Sequence, residues 1–367
     1  MRIVMFYHSL LSCWNHGNAH FLRGVVRELQ EQGHSVAVYE PRDGWSRTHL
    51  EQEKGFAAAL GGFEQIYPTL RHAVRLYDGE TLSLSDALDG ADLVLVHEWN
   101  DPALVARIGE YRKAHPRCRV LFHDTHHRAV SDENSMTAYD LTHYDGVLAF
   151  GAVIRDLYRE RGWAKNVWTW HEAADVRVFR PIPYFDEPEG DLLWIGNWGD
   201  EERTAELREF LIEPVRRLGL RATVFGVRYP DYARAELRDA GITYGGWLPN
   251  HCAPEIFSRF RVTVHVPRRY YTQMLPGIPT IRVFEALACG IPLISAPWQD
   301  AENLFRPGTD FLVARDGSEM EAHLRQVLEH PETALPMSVQ GRQTVLARHT
   351  CAHRVDELMA VYGEISA

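Results

Sequence analysis

Short, almost wholly apolar runs that stop at a glycine or a polar tip, each leading into a helix-like stretch, constrain this chain more than any other feature. Residues 2–7 (RIVMFY) form the first run; a glycine-bearing loop, a helical stretch over 19–32 and a second run at 35–39 (SVAVY) follow. Gly33 closes the helical stretch, the usual place for a glycine that ends a helix. Apolar runs of this length suit buried strands, and strand–helix–strand repeats build a parallel, doubly wound sheet. The pattern recurs at 91–97 (ADLVLVH), 119–123 (RVLFH), 144–150 (YDGVLAF) and 166–170, with helices expected over 102–114 and 152–161. Residues 45–90 are less regular, with helical stretches expected at 50–60 and 67–77. In the second half, strands are expected at 192–195, 222–225, 242–248, 261–266, 291–295 and 311–314. Helices are expected there over 204–218, 254–260, 318–329, 343–348 and 351–365.

A chain of 367 residues exceeds one ordinary core and suits two domains of about 150–200 residues each. Prolines at 181, 183 and 188 beside an acidic run mark the linker. The expected domains are residues 1–183, residues 184–345, and a terminal helix over 346–367. Hydrophobic residues at 45% and charged residues at 24% describe a globular protein, and a net charge of -11 argues against a nucleic-acid partner. Five scattered cysteines with no CxxC suggest neither a disulfide framework nor a cysteine-based zinc site. Met1 leads straight into a strand-like run, so no signal peptide is expected, and no segment approaches the ~20 apolar residues of a membrane span. A cytoplasmic location is expected.

Chemistry concentrates in residues 274–297, MLPGIPTIRVFEALACGIPLISAP. A Pro/Gly turn through Gly277, Ile278, Pro279 and Thr280 opens a helical run that carries one acid, Glu285, and ends at Gly290. Free N–H groups at a helix start attract phosphate. Glu285, about one and a half turns inside, reaches a group about 6–8 Å beyond that phosphate, where the ribose of a nucleoside diphosphate lies. Read without more, the stretch is also an ordinary αβ unit with a solvated glutamate. At the strand tips stand His97-Glu98 and His123-Asp124, the end at which doubly wound sheets bind ligands. His123, Asp124, His126 and His127 are four ligand-type side chains, but their spacing fits neither HExxH nor a zinc knuckle, so no metal is assigned. The first loop lacks GxGxxG, and His16, Asn18 and His20 are either functional or a polar loop satisfying its own backbone.

The segment R-V-F-E-A-L-A-C-G-I-P-L-I-S, followed by L-F-R-P-G-T-D-F-L-V, resembles the nucleotide-sugar motif of group 1 glycosyltransferases, nearest the CgeB-like, spore-maturation-type branch. A-A-D-V-R-V-F-R-P resembles the stretch that closes the amino-terminal domain of that family. The resemblance implies the GT-B architecture: two Rossmann-like domains facing across a cleft, with the last helix returning to the first domain. It implies glycosyl transfer from a nucleotide-diphosphate sugar, UDP or GDP, to an acceptor in the cleft, without a catalytic metal. Glu285 matches the family glutamate on the ribose hydroxyls, whereas the position of the family's first glutamate is Gly277. On the same basis Gly196 and Arg203 meet the diphosphate, the cation neutralising charge on the leaving group, with Arg228 a second candidate. His123 matches a histidine at the reacting sugar, with Asp124 to orient it or act as base, and His16, Gly17, Asn18 and His97 line the sugar and acceptor side. The basic, aromatic loop at 268–271 either holds phosphate or sugar or is a covered loop with an exposed Arg pair.

Kinship implies retention of configuration, and the loss of the first glutamate leaves inversion with Asp124 or a neighbouring histidine as base. The acceptor class stays open among glycan, lipid, small molecule and protein. Two other functions suit the same fold: a sugar-nucleotide epimerase, and a catalytically impaired nucleotide-sugar binder.

Overall fold

The computed structural model describes residues 1–14, 17–53, 55–183, 186–199 and 201–367. The chain folds as two compact units, Met1–Glu172 with Cys351–Ala367, and Ala173–Thr350. The first is built on a seven-stranded sheet of β1 (Arg2–Phe6), β2 (Ser35–Pro41), β3 (Val74–Tyr77), β4 (Leu93–His97), β5 (Arg119–Asp124), β6 (Gly146–Ala149) and β7 (Val167–Thr169). The order is β3-β2-β1-β4-β5-β6-β7, and every pair is parallel. Ile3 to Phe6, Leu93 to Val96 and Val120 to Phe122 have no exposed surface, as the apolar runs require once helices cover both faces.

The second unit holds a six-stranded parallel sheet of β8 (Gly190–Ile195), β9 (Ala222–Phe225), β10 (Thr243–Tyr244), β11 (Phe260–His265), β12 (Leu293–Ser295) and β13 (Leu312–Val313). Its order is β10-β9-β8-β11-β12-β13. In each sheet the chain winds outward from the first strand, then returns to its other side. The order thus reverses between β1 and β4 in one unit and between β8 and β11 in the other. Loops leaving the carboxyl ends of such a pair diverge and open a crevice, the ligand position of doubly wound sheets.

The terminal helix Cys351–Ser366 belongs to the first unit. Trp170 Nε1 donates to Arg354 O at 2.8 Å, Trp168 Nε1 to Glu364 Oε2 at 2.8 Å, and Arg354 Nε to His171 O at 3.0 Å.

Three local expectations are corrected. Residues 67–77 are not one helix: Leu70–Ala73 is a single turn and Val74–Tyr77 is the edge strand β3, because pairing with β2 outweighs local helical preference. Only Thr243–Tyr244 of 242–248 is strand, and Gly246 then turns with φ +72°. The helix expected at 343–348 starts at Pro331 and runs to Arg348 with Pro336 inside it, a residue whose missing N–H disguises the element in sequence. The helix over 204–218 contains a π-helical segment, Arg208–Ile212.

Helix Ile281–Cys289 is held in place by helix Pro331–Arg348 at Gly341. A Cβ there would stand 2.5 Å from Asp310 O and 2.8 Å from Leu287 Cδ2. Backbone cannot yield as a flexible side chain can, so Gly341→Ala is expected to destabilise the second unit by about 1–3 kcal/mol. An unchanged urea-unfolding midpoint would show that the crossing is not tight.

Candidate active site

In the first unit, polar side chains gather where β1, β4 and β5 end. His97 and His123 are register partners on β4 and β5, and both are fully buried. Tyr7, one residue past β1, brings its hydroxyl to 2.9 Å from His123 Nδ1. The two imidazoles meet edge to face with centroids 5.4 Å apart. Asn100 Nδ2 donates to Phe6 O at 2.8 Å and to His97 O at 2.7 Å, tying β1 to β4 at the reversal.

Glu98 is the hub of this end. Its buried carboxylate accepts from Thr125 N at 3.0 Å, Thr125 Oγ1 at 3.1 Å and the Arg128 guanidinium at 2.8 Å. Burial pushes the Glu98 carboxyl up, and the Arg128 charge opposes that push. Thr125 gives its one hydroxyl proton to Glu98, so its oxygen can only accept from elsewhere. His97 Nε2 and Asn18 Nδ2 are therefore the donors in their contacts with it, each at 3.1 Å.

Neighbours on a strand point to opposite faces, and His123 and Asp124 obey this. His123 packs against Trp170, Phe21 and Tyr7, whereas Asp124 accepts from Tyr158 Oη at 3.0 Å and His126 N at 3.1 Å. Asp124 does not orient His123, which corrects that expectation; Tyr7 holds the place. Burial, with Glu98 behind it, pushes the Asp124 carboxyl up. Burial also lowers the His123 imidazole to about 3, so it is neutral at pH 7. His123 Nε2 has no hydrogen-bond partner among the described residues. Gly17 and Asn18 form the turn before helix Ala19–Glu31, and His16 lies outside the described residues.

In the second unit the loops leaving β8 and β11 meet at Arg203. Its Nη1 donates to Val266 O at 2.9 Å and its Nη2 to Asn197 O, so one buried guanidinium ties the two loops together. Burial, then repulsion from Arg268, lowers its pKa to about 9, and it stays charged at pH 7. Arg203 Nε has no partner among the described residues. Gly199 passes over this side chain with φ +93°, where a Cβ would stand 3.0 Å from Nε. Gly196 N donates to Phe225 O at 2.8 Å, and Gly196 O accepts from Tyr229 Oη at 2.8 Å. Arg228 is exposed at φ +61°. Of the basic loop, Arg268 bonds Glu202 at 3.0 Å and Arg269 bonds Glu206 at 2.8 Å.

The bend at 277–280 enters helix Ile281–Cys289 as the sequence suggested. Gly277 sits at φ +94° and its amide donates to Gln299 O at 2.7 Å, so that amide is already engaged. Ile281 and Arg282, first in the helix, have no preceding turn to donate to. Thr280 does not cap the helix with its side chain. Ser295 Oγ donates to Ala296 O at 2.7 Å, so it accepts from His265 Nδ1 at 2.9 Å, which leaves Nε2 to accept the Thr280 hydroxyl proton at 3.0 Å. Glu285 is fully buried; Oε1 accepts from Asn250 Nδ2 at 3.0 Å and Oε2 pairs with Arg282.

Tyr7, Thr125, Asn250, His265 and Arg282 escape the reading of the sequence. The i,i+3 spacing of Arg282 and Glu285 signals their pairing, whereas Asn250 is 35 residues from Glu285 and carries no local signal. Among the described residues, no group of three or more His, Cys, Asp and Glu side chains is arranged to hold a metal ion.

Burial, with help from Arg203, lowers His265 to about 3. The unfolded chain binds a proton there below about pH 6.5 and the folded chain does not. This contribution to stability is full above that pH and is lost as pH falls toward 3. His265→Gln is expected to flatten the acid limb of a stability–pH curve, and an unaltered slope would show that His265 is protonated in the folded protein.

Residues 203–360 match a protein family described as glycosyl transferase-like. A search of curated proteins finds no match. Solved structures similar over the whole chain include an alpha-glucosyltransferase in complex with UDP and DNA, at TM-score 0.71, 11% identity and coverage of 99% of each chain. A sucrose-phosphate synthase from Thermosynechococcus elongatus superposes at TM-score 0.66 and 15% identity, covering 100% of this chain and 99% of that one. The Anabaena protein HepE, in complex with UDP and glucose, does so at TM-score 0.66 and 12% identity, covering 99% of this chain and 100% of that one. Two parallel Rossmann-like sheets that superpose at full length on such structures are the GT-B fold. The chain thus has the GT-B fold, and within it residues 203–360 match a family described as glycosyl transferase-like.

Proposed function

We propose that the protein transfers a sugar from UDP-sugar to a non-nucleic-acid acceptor, the second unit serving as the donor domain and the first supplying groups to the sugar and acceptor. The observation that carries this reading is Glu285. It is a buried carboxylate inside a helix whose first amides are unspent, within the stretch that matches the glycosyl transferase-like family. Uracil as the base is supported by neighbours solved with UDP and with UDP-glucose. A net charge of -11 speaks against a DNA acceptor here, although one neighbour holds DNA.

In this reading the diphosphate lies on the amides entering helix Ile281–Cys289 and on the Gly196 turn, with charge from Arg203. Arg203 reaches an oxygen through Nε while its Nη atoms keep the two loops together. Such groups stabilise the leaving diphosphate without a metal. Arg228, exposed at the β9 exit, joins them as the second cation. Glu285 turns from Asn250 and Arg282 to the ribose hydroxyls, and Ile278 and Pro279 shape the bend. His123, neutral, donates to the sugar, with Gly17, Asn18 and His97 on the same side; Asp124, on the opposite face of β5, supports that strand end through Tyr158. The reaction proceeds with retention. The motif around Glu285 supports kinship with the CgeB-like branch, and five free cysteines suit a reducing compartment such as the cytoplasm.

Glu285→Ala is expected to weaken UDP binding by about 1–3 kcal/mol in calorimetry, the scale of a lost charged hydrogen bond. Unchanged affinity would remove Glu285 from the donor site. His123→Ala should lower kcat by about a hundredfold or more with little change in donor affinity; the opposite split in steady-state kinetics would count against its place at the reacting sugar.

A further inference from the structure

We infer that Tyr7 is a positioning residue that fixes the tautomer of His123, so that Nε2 carries the proton and is held ready as a donor. The inference rests on the proposed function only for what meets that proton; the tautomer itself is a property of the free protein.

Tyr7 Oη lies 2.9 Å from His123 Nδ1, and both side chains are fully buried. Two arrangements fit this contact. If His123 donates from Nδ1, the phenol proton is left buried without an acceptor and Nε2 is left as a bare, unpartnered acceptor. If Tyr7 donates to Nδ1, only the Nε2 proton lacks a partner. A buried donor or acceptor left unmade is costly, so the second arrangement, with fewer orphans, is favoured.

No neighbouring ring competes for the role. Trp170 packs on His123 at a centroid distance of 4.7 Å, but its Nε1 proton goes to Arg354 O at 2.8 Å. Phe21 offers no polar atom. His97 spends its Nε2 proton on Thr125 and its Nδ1 accepts from Trp99 N at 3.4 Å. Thr125 is in turn set by Glu98 and Arg128. The directions of the His97 and Thr125 hydrogen bonds are thus set from behind, and His123 Nε2 is left without a partner among the described residues. A neutral imidazole with its Nδ1 lone pair occupied by a phenol is a donor to a substrate oxygen and not a proton acceptor.

Long-range ¹⁵N–¹H correlation spectra of the full chain at pH 7, without substrate, test this, with His123→Gln used to assign the ring. The expected wild-type spectrum shows a protonated Nε2 and a bare Nδ1. In Tyr7→Phe the ring is expected to lose that preference and populate both tautomers, with kcat falling about tenfold while the UDP dissociation constant changes less than about twofold. A wild-type ring protonated at Nδ1 would overturn the inference, as would a Tyr7→Phe spectrum identical to wild type. Should Tyr7→Phe fold poorly, the wild-type spectrum alone decides. Because this readout needs no turnover, its failure is separable from a failure of the transferase reading.

Discussion

A buried carboxylate has to be met by donors from several directions at once, and in this protein two of them, Glu98 and Glu285, organise the strand ends on which the rest depends. Glu98 accepts from Thr125 and Arg128 and so sets the hydrogen-bond direction of Thr125, His97 and Asn18. Glu285 accepts from Asn250 and Arg282 and so holds the first turns of its helix against the 3₁₀ turn Asn250–Cys252. Removing one partner of a charge enclosed in this way is strongly destabilising.

The two units solve the same problem with different residues. Where strand order reverses, the exit loops diverge and need a tie that leaves the crevice open. In the first unit the tie is the Asn100 amide, spanning the Phe6 and His97 carbonyls. In the second it is the Arg203 guanidinium, spanning those of Asn197 and Val266. The second tie carries charge, the first does not.

Much of the fold was legible because a sheet covered on both faces demands unbroken apolar runs, and RIVMFY, LVLVH and RVLFH supply them. β3 was not legible: VRLY continues a helical pattern, and its strand character comes from pairing with β2, far away in sequence. Pro336 hid most of a helix for the opposite reason, a local signal overruled by packing. At the candidate site, Glu285, Arg203 and His123 were legible as charged or titratable side chains at strand and helix ends. Their partners did not. Asn250 reaches Glu285 across 35 residues and Tyr7 reaches His123 across 116, distances over which only the folded chain brings groups together. The pairing of His123 with Asp124 failed because adjacent strand residues face opposite ways.

In the proposed function a nucleoside diphosphate binds where β8, β11 and helix Ile281–Cys289 present their ends. Hydrogen–deuterium exchange of the full chain with and without UDP tests it most directly. Slowed exchange concentrated in residues 196–203 and 266–285 is expected. Unchanged exchange there at saturating UDP, or protection confined to other segments, would contradict it.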